Sequence, residues 1–267
     1  MSEWRGRTLG TREATYDETR AILYALAVGA PASALDLVFE KDLRVLPAFA
    51  LTLAQWAPDE LGPAGAFDTA TAVHGSQRLR VREPLPPSGT VAMTARVGEV
   101  WDKGRAAVFE VVVESAYFDA TWSIFAPGAG GFGGERGPSA RRRPSGDPDR
   151  TLALRTSPNQ AALYRLLGDR HHMHIDPAAA KAAGMPRPFM HGLCTLAAIV
   201  LPVADAYEAH PADLTELDGR FAAPVFPGDE LTIETWRDAG AVLFEAAVGD
   251  RTVISGGRAA FTGGRPA

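Results

Sequence analysis

Apolar and polar positions follow two rhythms along this chain, and the pair of rhythms occurs twice. Leu193–Leu201 is apolar on nearly every side, which marks a helix buried over most of its surface. Leu231-Thr232-Ile233-Glu234-Thr235-Trp236 and Val91-Ala92-Met93-Thr94-Ala95-Arg96-Val97 alternate instead, as half-buried strands do. Pro-Gly and Asp-x-Gly turns separate such segments, the punctuation of antiparallel hairpins. An apolar helix followed by several antiparallel strands predicts a sheet wrapped around that helix.

The same plan repeats at a nearly constant offset. Leu46–Ala54 and Arg187–Ala197 each carry a proline opening a mostly apolar run, with Pro47 and Pro188 141 positions apart. A proline at a helix start is tolerated because its missing N–H would be unpaired there anyway. Glu83–Gly89 matches Ala223–Asp229, with Pro84 and Pro224 140 apart, and Phe109 and Phe244 occupy matching segments 135 apart. Three landmarks in one order predict a tandem duplication. Between the repeats lie Gly128–Gly134 and then a stretch with Arg141-Arg142-Arg143, Pro144, Gly146 and Pro148. Glycine, proline and like charges resist packing. The predicted division is therefore 1–135, a linker over 136–152, and 153–267. The basic run reads as solvated linker, with contact to an anionic ligand as the alternative.

Composition removes several function classes. Of 267 residues, 46% are apolar and 22% charged, which is ordinary for a globular protein and excludes disordered, collagenous and coiled-coil chains. Lys+Arg 27 against Asp+Glu 32 leaves −5, which argues against a nucleic-acid partner. Cys194 has no second cysteine to pair with, so a reducing, cytoplasmic setting is expected. The longest apolar stretches are interrupted by Gly29 and Pro31 and by Pro202, so no membrane span is expected. The first twenty residues lack the apolar core of a secretory signal, and Gly264-Arg265-Pro266-Ala267 is not a peroxisomal address.

Candidate chemistry concentrates late in the chain. Four of the six histidines, His171, His172, His174 and His191, fall within 171–191. Asp169 and His174 sit five residues apart in a stretch that precedes a short predicted helix, Ala178–Ala183, stopped by Gly184. Three readings stay open at this point. His171, His172 and His174, with Asp169, could ligate a metal, although helical i, i+4 spacing and cysteine partners are lacking. Asp169 or Asp176 could cap the helix, with the histidines exposed. Or Asp169 and His174 could form an acid–base pair that holds one water, deprotonates it and returns a proton to a neighbouring carbon. His191-Gly192 opens the buried helix. Glycine there either admits a ligand to the free N–H groups and positive dipole end of the helix or merely permits close packing. Such N–H groups suit a carbonyl oxygen that gains charge.

These residues resemble the MaoC-like, (R)-specific 2-enoyl-CoA hydratases (hydratase type 2), including the hydratase unit of the peroxisomal multifunctional enzyme. Gly168-Asp169, His174, Asp176-Pro177 and Pro188-Phe189-Met190-His191-Gly192-Leu193 match that family's two motifs. Tyr24–Gly29, Leu46–Phe49, His74-Gly75-Ser76-Gln77 and Asp102-Lys103-Gly104 fit its first half, so the likeness spans about 20–262. The resemblance implies an α+β double hotdog fold, two antiparallel sheets each wrapped around a long central helix. It implies syn addition of water to a trans-2-enoyl thioester, giving a (3R)-3-hydroxyacyl product, or the reverse dehydration. Asp169 and His174 then activate the water and Gly192 holds the thioester oxygen. Glu40 matches a glutamate that some two-domain members bring near the site, with an ordinary surface or salt-bridged residue as the alternative, and His171 and His191 are candidate supporting residues. The substrate is a CoA or acyl-carrier thioester, no cofactor or metal is required, and a homodimer is expected.

One departure stands out: the family's Asn-Pro-Leu is His171-His172-Met173 here. A histidine still donates a hydrogen bond but is larger and can become charged. The first half has Phe49-Ala50 where the second has His191-Gly192, so one active site per chain is expected, with the first half shaping an acyl tunnel. A hotdog thioesterase, sending water to the thioester carbon, and a non-catalytic acyl-thioester-binding protein are the competing functions.

Overall fold

The computed structural model describes residues 3–263; the tetrapeptide 264–267 lies outside them. The first half runs β1 (Thr8–Tyr16), α1 (Glu18–Ala27), α2 (Leu35–Val38), α3 (Ala50–Leu53), α4 (Trp56–Leu61), β2 (Val73–Val81), β3 (Gly89–Asp102), β4 (Ala106–Ser115) and β5 (Phe118–Pro127). The second repeats it as β6 (Arg150–Arg155), α5 (Gln160–Tyr164), α6 (Pro177–Ala182), α7 (Gly192–Ala206), β7 (Leu214–Phe221), β8 (Glu230–Asp238), β9 (Ala241–Val248) and β10 (Arg251–Phe261). Two of the three landmarks fall on equivalent elements, while Pro47 opens a 3-10 turn and Pro188 lies in the loop before α7 rather than at a first helical position. Pro84 and Pro224 lie in the β2–β3 and β7–β8 connections, and Phe109 and Phe244 are the buried aromatics of β4 and β9.

The strands form one sheet of ten in the order β1-β3-β4-β5-β2-β7-β10-β9-β8-β6, antiparallel at each pairing described. Read outward from the centre, each half gives the same sequence of equivalent strands. The two expected sheets are therefore fused at β2 and β7, from Ser76↔Arg220 to Arg80↔Glu216. Without that pairing each strand would present a row of unpaired N–H and C=O groups. Arg80 fastens the seam by donating to Asp218 at 2.8 and 3.3 Å.

The halves differ in their helices. α7 runs for 15 residues, and Leu193, Cys194, Leu196, Ala197, Ile199 and Val203 are all buried. This is the long central helix expected. Its counterpart in the first half is neither long nor continuous: a 3-10 turn over Pro47–Phe49 leads into the four residues of α3, and α4 follows after a break at Ala54-Gln55. Pro58 within α4 cannot donate the bond that would carry a helix through from α3.

Residues 128–149, between β5 and β6, contain no helix or strand and lie as a strap across the outer face of the sheet. Arg141 donates to the Gly256 carbonyl at 3.1 Å, and Arg143 pairs with Glu234 at 2.8 Å. Strand β6 begins at Arg150 and pairs with β8.

Candidate active site

The loop between α5 and α6 turns sharply at Gly168, whose φ of 148° favours glycine. Asp176 and Pro177 then start α6 in the ordinary way: the Asp176 side chain accepts from the Ala178 N–H at 2.8 Å, and proline occupies the first helical position. Of the two aspartates considered as caps, Asp176 does the capping. Asp169 accepts instead from the His171 backbone N–H at 3.2 Å and from His171 Nδ1 at 2.6 Å.

His174, on a 3-10 turn over His172–His174, is buried. Its Nδ1 lies 2.8 Å from the Phe189 carbonyl, which only accepts, so Nδ1 carries the proton and Nε2 keeps a lone pair. Burial lowers the His174 pKa, so the ring is a neutral base near pH 7. His191, the residue before α7, is tied in the same manner. Its Nε2–H donates to the Asp169 main-chain carbonyl at 3.1 Å, leaving Nδ1 buried and, among the described residues, without a protein partner. Burial, then the neighbouring His174 charge, pushes the His191 pKa down to about 3. The His174 and His191 rings lie 3.8 Å apart, and Tyr164 covers His191 at 4.9 Å.

A carboxylate oxygen of Asp169 and one ring nitrogen each of His174 and His191 all lie within 4.8 Å of one another. A water donating to two acceptors at about 2.8 Å with its bent geometry spans roughly 4.5 Å, so one water can serve Asp169 and His174 together. The same three groups could also hold a metal ion. Burial raises the Asp169 carboxyl pKa, but the short His171 bond and the surrounding imidazole charges outweigh it and hold the group well below the usual carboxylate range. Reciprocally, the Asp169 bond raises the pKa of His171, with Asp59 of α4 adding to the effect.

Gly192 is the first residue of α7. Among the described residues, the N–H groups of Gly192 and Leu193 have no protein acceptor, as at any helix start. A Cβ on Gly192 would fall 2.8 Å from the Phe221 ring, so close packing already requires glycine here. Phe221 in turn packs against His74 of β2 at 4.7 Å, bringing the first half to the helix tip. Glu40 is exposed in the turn after α2, and no hydrogen bond or ion pair to it is described. The loop and helix tip thus bring together Asp169, His171, His174, His191 and Gly192. Sequence reasoning passed over Tyr24 and Tyr164, which pack 6.1 Å apart with both hydroxyls buried and, among the described residues, unpartnered. Their signal was present: they are 140 positions apart, the offset of the duplication.

Residues 139–257 match the MaoC like domain, and residues 14–126 match the MFE-2 hydratase 2 N-terminal domain. Enoyl-CoA hydratase ChsH3 of Mycobacterium tuberculosis is 38% identical over 252 residues, covering 87% of each chain. The chain belongs to the MaoC-like hydratase 2 family. This family member is also 35% identical to the peroxisomal multifunctional enzyme type 2 of Mus musculus, matching over 91% of its own length but 36% of that longer enzyme. A MaoC-like dehydratase from Phytophthora capsici superposes with a TM-score of 0.85 at 27% identity, covering 96% of both chains. A Mycobacterium tuberculosis protein described as a double hotdog fold superposes at 0.58 with 14% identity over 96% of both chains, a likeness of fold alone. The fold is a double hotdog. Among the described residues no helix is long and apolar enough to cross a membrane.

Proposed function

We propose that this chain is an (R)-specific hydro-lyase, adding water reversibly in syn fashion to a trans-2-enoyl-CoA to give a (3R)-3-hydroxyacyl-CoA. The observation that carries the reading is the spacing of Asp169 and His174 within reach of one water, beside the tip of α7. In hydration the water oxygen bonds to C3, one water proton passes to the His174–Asp169 pair, and the pair returns a proton to C2 on the same face. The lone pair at His174 Nε2 makes it the base, and ionised Asp169 holds the water. The enolate oxygen that develops on the thioester meets the N–H groups at Gly192 and the positive end of α7. Dehydration runs through the same groups in reverse.

The reading calls for no cofactor and no metal. The acyl chain is assigned to the apolar seam where Leu46, Pro47 and Ala48 face Ala197 and Val200 of α7; the gap there has room for about one water, so these side chains must part to admit the chain, which gives the first half its part in the site. A homodimer in the cytoplasm completes the proposal; light scattering of the purified chain reads the first and cell fractionation the second.

The test follows enoyl-thioester absorbance with crotonyl-CoA and longer enoyl-CoAs, with product chirality determined. Wild type is expected to give the (3R) product, and Asp169→Asn and His174→Ala each to lose on the order of 10²-fold or more. Equal turnover by all three would end the assignment. Release of free thiol with the double bond intact would make the chain a thioesterase instead.

A further inference from the structure

A cleft outside the catalytic cluster lies on the outer face of the sheet, across the β2–β7 seam and beneath strap residues 138–141. Arg78, Lys103 and Arg220 line it, and among the described residues none is within ion-pair distance of a carboxylate. The two acidic residues in its wall are already engaged. Asp218 pairs with Arg80 and Arg141, and Glu110 accepts from Trp101 Nε1 at 3.2 Å. Burial and then the charges of Arg136 and Arg220 lower the Lys103 pKa, with Glu110 acting the other way, so the cleft wall, with Arg78, Lys103, Arg141 and Arg220 against Glu110 and Asp218, carries more positive than negative charge. Such a concentration of positive charge on a chain of net charge −5 makes a local anion site, and Arg and Lys are the natural partners of phosphate.

The cleft sits at the same end of the sheet as the candidate catalytic residues. Ser76 and Arg220, register partners in its wall, are two and one residues from His74 and Phe221, which pack together over the tip of α7. Inner and outer side chains are separated by about half of a ~10 Å sheet spacing on each side of the backbone. A ligand arm passing over the ends of β2 and β7 therefore leads from one site to the other. Val73 and Phe125, paired at those strand ends, are exposed apolar side chains on the way.

We propose that this cleft binds the phosphates of the nucleotide end of a CoA thioester whose acyl end lies at Asp169 and His174. The inference rests on the hydratase reading and makes CoA, rather than a carrier protein, the acyl carrier. A recess roofed by a strap admits a small phosphorylated group more readily than the helix of an acidic protein.

The experiment compares crotonyl-CoA with crotonyl-pantetheine, which lacks the nucleotide, in wild type and in Lys103→Gln/Arg220→Gln. It adds calorimetric binding of 3′,5′-ADP to both proteins. The double variant is expected to lose about tenfold or more in kcat/KM for crotonyl-CoA, mostly in KM, and to keep crotonyl-pantetheine within about twofold. 3′,5′-ADP is expected to bind wild type, to compete with crotonyl-CoA, and to bind the variant at least tenfold more weakly. Equal losses on both thioesters, or ADP binding that the variant retains or that does not compete, overturn the assignment. Preference for a crotonyl carrier protein with no ADP binding overturns it in favour of a protein partner. Should wild type turn over neither thioester, the hydratase reading fails, while the ADP measurement still decides whether the cleft holds the nucleotide phosphates.

Discussion

The two halves share a strand plan but diverge at the start of the central helix. In the second, His191 ties the helix tip to Asp169, and Gly192 lets Phe221 close on it. In the first, the corresponding Phe49 is wholly buried against Tyr16 and Tyr24, at 5.1 and 5.3 Å, and Ala50 follows it. One copy has polar groups at its helix start; the other has an aromatic ring in the same place. The comparison teaches that the scaffold needs only something at this position, whereas chemistry needs lone pairs there. The first copy is not idle. It supplies Tyr24 behind the His191–Tyr164 stack, His74 beside Phe221, and Asp59 near His171.

The sharpest way to break this contrast is to disable each copy in turn. Asp169→Asn or His174→Ala should lower kcat/KM about 10²-fold or more, whereas Phe49→Leu should lower the melting temperature and change kcat/KM less than about threefold. Steady-state rates beside thermal melts decide it, and a catalytic loss from Phe49→Leu matching the first two would erase the distinction. Next in size is Gly192→Ala, whose methyl meets Phe221. About 1–3 kcal/mol of overpacking is expected, together with a fall in kcat of about tenfold or more as the tip shifts. Ala50→Gly, its counterpart, should cost about 1 kcal/mol and leave kcat alone. Denaturant midpoints and initial rates on both proteins test the pair.

A smaller effect concerns the gap shared by the halves. Ala48→Leu should reduce kcat/KM several-fold for long enoyl chains and spare crotonyl-CoA, since it narrows the place assigned to the chain; equal effects at all lengths would remove the gap from the site. The smallest concerns pH. His171→Asn takes away the cation beside Asp169, so the acid limb of the kcat/KM profile should move to higher pH. The signs in the wild type are opposite for the two partners. The raised His171 pKa contributes stability that is complete below its unfolded value near 6.5 and is lost as pH rises through the folded value. The depressed Asp169 pKa contributes stability present above about 4 and lost as pH falls through its folded value. Thermal melts across pH should therefore show His171→Asn least different from wild type at alkaline pH.

Much of this arrangement was written openly in the chain. Pro84 and Pro224, and Phe109 and Phe244, announced the repeat because turns and buried strand centres constrain single residues strongly. Asp169, His174 and Gly192 were legible because each holds a fixed place in a short motif. The β2–β7 seam was not, since strands such as Val73–Val81 pair through backbone groups that carry no residue-specific mark. The broken first-half helix was half legible: Pro58 signals an interruption, but Leu46–Ala54 alone reads as apolar helix. The His171–Asp169 bond depends on loop conformation around Gly168, and the purposes of Tyr24, His74 and Asp59 depend on contacts across the molecule.

The continuous sheet has a practical consequence for anyone who divides this gene. A fragment ending near residue 135 would carry β2 as a bare outer strand, and one beginning near 150 would carry β7 in the same condition. Each would seek a substitute neighbour, and copies of itself are the nearest at hand. Expressed apart, the pieces should self-associate; expressed together, they should recombine along the line where they were joined.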